Sequence, residues 1–209
     1  RVLRLRGQLL LGVERLPLLA ESERQRLLVD WSGPDRDYPT DQCYQHLFER
    51  QVRDTPQRIA VVYREQTWTY ADLNARANQM AHALHQAGVG SGDFVAILTE
   101  RSPEFVVGML ATFKVGAAYV PIDPTYPRER VQYLLTNCAA RALVTRVTIA
   151  EQFAESLTNC QDLQVIACVD ESPATGMTAL SGTCRVVGRA DMRAMPVENL
   201  PATGRETDP

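Results

Sequence analysis

Residues 113–127 read Phe113–Lys114–Val115–Gly116–Ala117–Ala118–Tyr119–Val120–Pro121–Ile122–Asp123–Pro124–Thr125–Tyr126–Pro127. The stretch joins the apolar end of a helix to a short apolar strand through Gly116, then breaks into Pro121, Asp123, Pro124 and Pro127. Glycine tolerates the left-handed turn that ends a helix, and proline, lacking an amide hydrogen, stops the regular structure that follows. Helix, tight turn and buried strand in that order predict an open α/β sheet.

Working outward, Phe94 to Leu98 reads as a buried strand. Ser102–Pro103 then opens a helix that runs to Lys114 or Val115, with proline at the first helical position, where no donor is needed. Downstream, the pattern predicts a helix over 127–137, a strand over 142–145, a helix over 148–157 and a strand over 164–169. Four or more β-α repeats with short links predict an α/β fold: a mainly parallel sheet with helices on both faces and right-handed crossovers.

Upstream lies the best-defined helix. Thr69 caps it, and Asp72 sits three residues on, placed to bind back to the cap. Leu73, Ala77, Met80, Leu84 and Ala87 fall on one face, and Gly88 suits the position after the last turn. Before it the sequence predicts a helix over 42–53, a strand over 59–63, a tight turn at Arg64–Gln66 and a partner strand over 67–70. Near the N-terminus, Glu21 or Ser22 opens a helix to Asp30, with Leu27, Leu28 and Trp31 as its apolar contacts. Ser32–Gly33–Pro34 stops it, and a linker follows to Thr40. The expected organisation is an appendage over 1–40, a core over 41–170 and an irregular or disordered tail over 171–209, with Cys184 to Val187 as a stray strand.

The composition is that of a globular protein: 45% hydrophobic and 22% charged residues in 209. A formal charge of −3 provides no basic surplus to neutralise phosphates, which argues against a nucleic-acid partner. The apolar run Phe105 to Phe113 is far shorter than the ~20 residues a membrane span needs. The opening RVLRLRGQLLLGVERLP has too short an apolar run for a signal peptide, and no small-residue cleavage site follows it. A chain starting at Arg1 is expected to be cut from something longer. Five cysteines without a CxxC pair predict free thiols in a reducing cytoplasm rather than a zinc site or disulfide framework.

No complete catalytic motif emerges. Neither GxGxxG nor GxxxxGK[ST] occurs. Gly88–Val89–Gly90–Ser91–Gly92 follows a helix and precedes a strand, the reverse of a dinucleotide fingerprint. His82 and His85 share a helix without a third metal ligand and read as solvent-facing polar residues; His46 stands unaccompanied. No GxSxG elbow exists. Asp123 follows a strand end, where functional carboxylates occur, but between Pro121 and Pro124 it is expected to accept backbone N–H bonds and fix the turn. Lys114 sits favourably at a helix C-terminus without a catalytic role. The residues alone thus lead to an α/β domain of nucleotide-binding type without an active site.

Two motifs add a resemblance. Thr69–Tyr70–Ala71–Asp72–Leu73–Asn74, continuing to Ala77–Asn78, is similar to the LTYxEL…NxxAN motif of nonribosomal peptide synthetase adenylation domains, in the adenylate-forming superfamily. Trp68 takes the usual Leu place and Asp72 the usual Glu. Phe113 to Pro124 resembles the second motif, LKAGxAYVPxDP. Glu100–Arg101–Ser102–Pro103–Glu104 resembles the family's wording, and Leu16–Pro17–Leu18–Leu19 with Glu23–Arg24–Gln25 resembles the link from a preceding condensation domain. The resemblance covers about residues 14–170. It implies activation of an amino or hydroxy acid with ATP and Mg²⁺, transfer to the phosphopantetheine thiol of a carrier protein, and condensation, carrier and remaining adenylation segments as partners. It assigns Thr69, Tyr70, Asp72, Leu73, Lys114, Gly116, Tyr119, Pro121, Asp123 and Pro124 a scaffold role. Catalytic, cofactor-binding and metal residues are expected outside this chain.

On that reading the chain is the inactive N-terminal part of an adenylation domain, either truncated or interrupted by an inserted domain, and prone to aggregate alone. The alternatives are a non-catalytic docking module and, against the missing glycine fingerprint, a dinucleotide-dependent oxidoreductase.

Overall fold

The computed structural model describes residues 19–33, 43–170, 180 and 182–201. The chain divides into two units, Arg1–Pro39 and Thr40–Pro209. In the first, α1 spans Glu21–Gln25 and continues as a π-helical turn over Arg26–Asp30. Ala20, not Ser22 or Glu21, is its N-cap, and the Glu23 carboxylate accepts from the Ala20 N–H at 2.9 Å. Leu27, Leu28 and Trp31, expected as apolar contacts, are exposed instead. Ten helical residues offer no second apolar surface for them to bury against. The linker over 34–40 lies outside the described residues.

The second unit opens with α2 (Tyr44–Asp54), followed by the antiparallel hairpin β1 (Ile59–Tyr63) and β2 (Gln66–Thr69). Arg64, in the reversal, takes a φ of 54°. The main sheet is then built by β3 (Phe94–Leu98), β4 (Ala118–Ile122), β5 (Ala142–Thr145), β6 (Val165–Cys168) and β7 (Arg185–Val187). Its order is β4-β3-β5-β6-β7, and every neighbouring pair is parallel.

Successive side chains of a strand point to opposite faces, so the sheet feeds two cores. Val95 and Ile97 join Val144 and Ala167 beneath α3 (Tyr70–Gln86) and α4 (Pro103–Lys114). Ala96 and Leu98 join Leu143 and Ile166 beneath α5 (Arg128–Asn137), α6 (Val147–Gln152) and α7 (Ala154–Thr158). The strands are therefore buried on both sides, which is why they read as unbroken apolar runs. The helix expected over 148–157 is broken in two at Phe153, whose φ of −106° and ψ of 14° leave the helical region. Its side chain is fully buried, so packing overrides helix continuity.

Within the segment read as an irregular or disordered tail, the strand expected over Cys184 to Val187 is present as Arg185–Val187, and the helix after it is the correction. Arg185, Val186 and Val187 pair in register with Val165, Ile166 and Ala167, and α8 (Arg189–Arg193) follows directly. Three residues of strand and five of helix are too short to show periodicity; the β6 edge supplies the pairing that the sequence alone does not reveal.

Candidate functional site

The chain leaves β3 for β4 on one side and β5 for β6 on the other. The crevice between the carboxyl ends of β3 and β5 is therefore the topological switch point, where open α/β sheets bind ligands. Each strand end delivers charge to it. Glu100 and Glu104 follow β3, Arg146 and Asp170 follow β5 and β6, and Arg189 follows β7.

These groups answer one another. Arg146 lies 3.5 Å from Glu104 through Nη2 and 3.4 Å from Glu100 through Nε. The Nε is angled away from hydrogen-bond geometry and, like Ser102 Oγ, is buried without a hydrogen-bond partner among the described residues. Arg189 Nη1 donates to the Val169 carbonyl at 2.7 Å and lies 4.0 Å from Glu104. Both Asp170 oxygens accept from the Val147 N–H at 3.2 Å. The carboxylate of Asp170 thus caps the start of α6, where the helix dipole favours negative charge.

Beside the crevice, the β3–α4 and β4–α5 loops enclose a cleft of about 650 Å³, lined by Ser102, Phe105, Pro121, Asp123, Pro124 and Tyr126. Asp123 Oδ1 accepts from Thr125 N at 2.8 Å and Thr125 Oγ1 at 2.7 Å. The backbone bond, then the hydroxyl bond, hold its carboxyl below the usual carboxylate range. With that oxygen committed to its own turn, Asp123 has the geometry of a turn former.

The remaining motif residues build scaffold, Asp72 sharing a pocket with Glu104 and Arg189. Thr69 Oγ1 accepts from Asp72 N at 3.1 Å, and Asp72 Oδ2 accepts from Thr69 N at 3.2 Å, closing a capping box on α3. Tyr70 packs on Phe48 with ring centroids 6.0 Å apart. Leu73 is buried in the same core. Gly116 takes a φ of 77° to end α4. Tyr119 stands edge-on to Phe113 and Phe105. Pro121 sits opposite Ile97 on β4, an edge strand. Lys114 is the chain's sole lysine; it is buried and paired with Glu49, at the far end of α4 from Glu104.

A nucleoside triphosphate requires convergent backbone N–H groups and basic side chains. Among the described residues, Arg146 and Arg189 are engaged by glutamates and the lysine is turned into the core against Glu49. No group of three or more His, Cys, Asp or Glu that could hold a metal ion occurs among the described residues. His82 Nε2 instead lies 3.1 Å from the Glu198 carbonyl. Within the described residues, no helix is long and apolar enough to cross a membrane.

Of the charged crevice, the sequence singled out only Glu100 and Glu104, as part of a family-like stretch; Arg146, Asp170 and Arg189 fit no motif. The available signal was position: each acid or base falls within a few residues of a strand end.

A family model described as AMP-binding enzyme matches residues 48–202. Tyrocidine synthase 3 of Brevibacillus parabrevis is 45% identical over 146 residues, which is 70% of this chain and 2% of that protein. Gramicidin S synthase 2 of Brevibacillus brevis is 45% identical over 131 residues, covering 63% of this chain and 3% of that protein. The chain thus spans a few per cent of the length of the curated relatives it matches. Among solved structures, the nonribosomal peptide synthetase FmoA3 bound to α-methyl-L-serine-AMP superposes with a TM-score of 0.61 at 26% identity, covering 79% of this chain and 16% of that one.

Proposed function

The chain belongs to the AMP-binding enzyme family and corresponds to the N-terminal part of a nonribosomal peptide synthetase adenylation domain; from that premise we propose that the protein carrying it activates an amino or hydroxy acid as its acyl-adenylate. The carboxylate attacks the α-phosphorus of ATP in line and expels pyrophosphate; the phosphopantetheine thiol of a carrier domain then attacks the acyl carbon, loses its proton and expels AMP. Mg²⁺ offsets the triphosphate charge. The observation that carries this reading is the match over residues 48–202, which embraces both sequence motifs.

The role of this chain within that protein is scaffolding. Its parallel sheet and the helices on both faces support the site, and Thr69, Tyr70, Asp72, Leu73, Gly116, Tyr119, Pro121, Asp123 and Pro124 hold those elements in register. Its single lysine is consumed by Glu49, so the lysine that grips the triphosphate comes from outside this chain. Residues 1–40 are the link from a preceding condensation domain, residues 41–170 the first part of the adenylation core and residues 171–209 its continuation. Condensation and carrier domains of the same synthetase are the partners, and the cytoplasm is the compartment.

An ATP–pyrophosphate exchange assay tests the reading. The isolated chain is expected to give no substrate-dependent exchange, whereas the synthetase module that carries it exchanges with its cognate acid. Exchange by the isolated chain, or a module that exchanges with no amino or hydroxy acid, would refute it. The oxidoreductase alternative is set aside by the family, and no specific observation favours the docking-module alternative.

A further inference from the structure

One face of α3 is a polar stripe. Asn74, Asn78 and His82, spaced one turn apart, project with Gln79 toward the segment after α8. Gln79 Nε2 donates to the Arg193 carbonyl at 3.0 Å, Asn78 Nδ2 to the Val197 carbonyl at 2.5 Å, and His82 Nε2 lies 3.1 Å from the Glu198 carbonyl. The contacts converge on one atom. Asn199 Oδ1 accepts from Asn78 Nδ2 at 2.9 Å, Asn74 Nδ2 at 3.1 Å and Lys114 Nζ at 3.2 Å. Lys114 in turn meets Glu49 of α2.

A carbonyl oxygen has two lone pairs, so three donors, one of them charged, saturate it. Asn78 has no exposed surface and the Lys114 side chain is 1% exposed. The clamp is therefore interior. Removing its acceptor takes one partner from each of the three donors: Lys114 keeps Glu49 and Asn78 keeps the Val197 carbonyl, while the Asn74 amide loses its bond to Asn199. It also ties three helices to a segment with little regular structure of its own: Met195, Val197 and Leu200 follow α8, and Leu200 packs on the core beneath α3 and α4.

We propose that Asn199 is a positioning residue: by capturing Asn74, Asn78 and Lys114 on one oxygen it straps residues 194–200 along α3 and fixes the place and direction in which the chain passes Pro201. The inference rests on the proposed function for its consequence, since the adenylating protein must route its following segment from that point. It rests on this chain alone for its geometry. The interaction is specific to a side-chain acceptor. Aspartate at position 199 retains the oxygen and satisfies all three donors, whereas leucine fills the volume and satisfies none.

Because Lys114 is the sole lysine, its labelling by an amine-reactive ester is a single-site report on the clamp, read by peptide mass spectrometry in the 209-residue chain. Wild type and Asn199→Asp are expected to protect Lys114, and Asn199→Leu to label roughly tenfold faster, as loss of a charged hydrogen bond lowers the cost of local opening. Asn74→Ala, which removes one donor at a half-buried position, is expected to fall between and keeps the test alive if Asn199→Leu does not fold. Protection unchanged in Asn199→Leu, or in Asn74→Ala where the leucine variant does not fold, overturns the proposal, as does Asn199→Asp behaving like leucine. In the synthetase module, Asn199→Leu is expected to lower the kcat of ATP–pyrophosphate exchange, with recovery in Asn199→Asp. Equal kcat in all three proteins overturns the positioning role. A wild-type module with no exchange refutes the function and leaves the labelling result to decide the clamp.

Discussion

The Lys114 ammonium lies against the Glu49 carboxylate, joining the last turn of α4 to α2 across 65 residues of sequence. Burial pushes the Lys114 pKa down, and the hydrogen bond and charge of Glu49 oppose that shift. In the folded state the amine therefore releases its proton below 10.5, the value taken as its unfolded reference. Between the lowered pKa and 10.5 the unfolded chain binds more protons, so this group's contribution to stability rises with pH across that window.

The prediction is a difference measurement. In urea denaturation, wild type should gain stability relative to Lys114→Met as pH rises toward 10.5. Glu49→Gln should cost about 2 kcal/mol at neutral pH, the scale of a hydrogen bond to a charged group. A flat wild-type-minus-Met difference across that range would contradict the assignment.

Gly108 marks the closest approach of α4 to the sheet. A Cβ there would meet Val144 Cγ1 at 3.2 Å and Ile97 Cδ1 at 3.3 Å. Alanine gains about 1 kcal/mol of helix propensity, but crowding a packed core costs about 1–3 kcal/mol. Gly108→Ala should therefore destabilise by about 1 kcal/mol. Val144→Ala removes the closer of the two contacts, so the double variant should be more stable than the sum of the singles predicts. Strict additivity in thermal melts would refute the contact.

Thr69→Ala opens the capping box of α3 and should cost about 1 kcal/mol. The Asp72 carboxyl is held low mainly by the Thr69 hydroxyl and then by the Thr69 backbone. Its stabilisation is present above its unfolded pKa near 3.8 and lost as pH falls through the lower folded value. Acid titration by circular dichroism should show wild type losing this increment at low pH while Thr69→Ala, lacking it, loses less.

Cys168 lies wholly within the second core, and burial pushes its thiol up to about 12. At pH 8 roughly one part in ten thousand is thiolate, the reactive form. Iodoacetamide should modify the partly exposed Cys43 of the native chain while sparing Cys168. Denaturant should abolish the distinction. Equal native rates would place Cys168 outside the core.

Where the chain repeats strand and helix, the sequence states the fold plainly. Phe94 to Leu98 and Ala142 to Thr145 are apolar because both their faces are covered, and Leu73, Ala77, Met80 and Leu84 are spaced as a buried helical face because they form one. Legibility fails where tertiary contact substitutes for local preference. Cys184 to Val187 reads as a strand, but its pairing with β6 does not show in the sequence, nor does the helix Arg189–Arg193 that follows. The break at Phe153 reflects a ring seeking the core. The charged crevice depends on which strand ends adjoin, and β-strand order is not written in periodicity. Asn199 shows the limit most sharply: a single amide in a proline-flanked segment, whose three donors lie 85 to 125 residues upstream.

That separation has a consequence in time. The cost of closing a loop grows with its length, and long-range contacts slow folding. The strand–helix–strand units joining β3, β4 and β5 close loops of a few tens of residues, whereas the strap must return to a helix laid down more than a hundred residues earlier. During synthesis α3 and α4 emerge before Asn199, the acceptor that Asn74, Asn78 and Lys114 share. Asn199 is the last of these groups to leave the ribosome, so the contacts that join α3 and α4 through it close last.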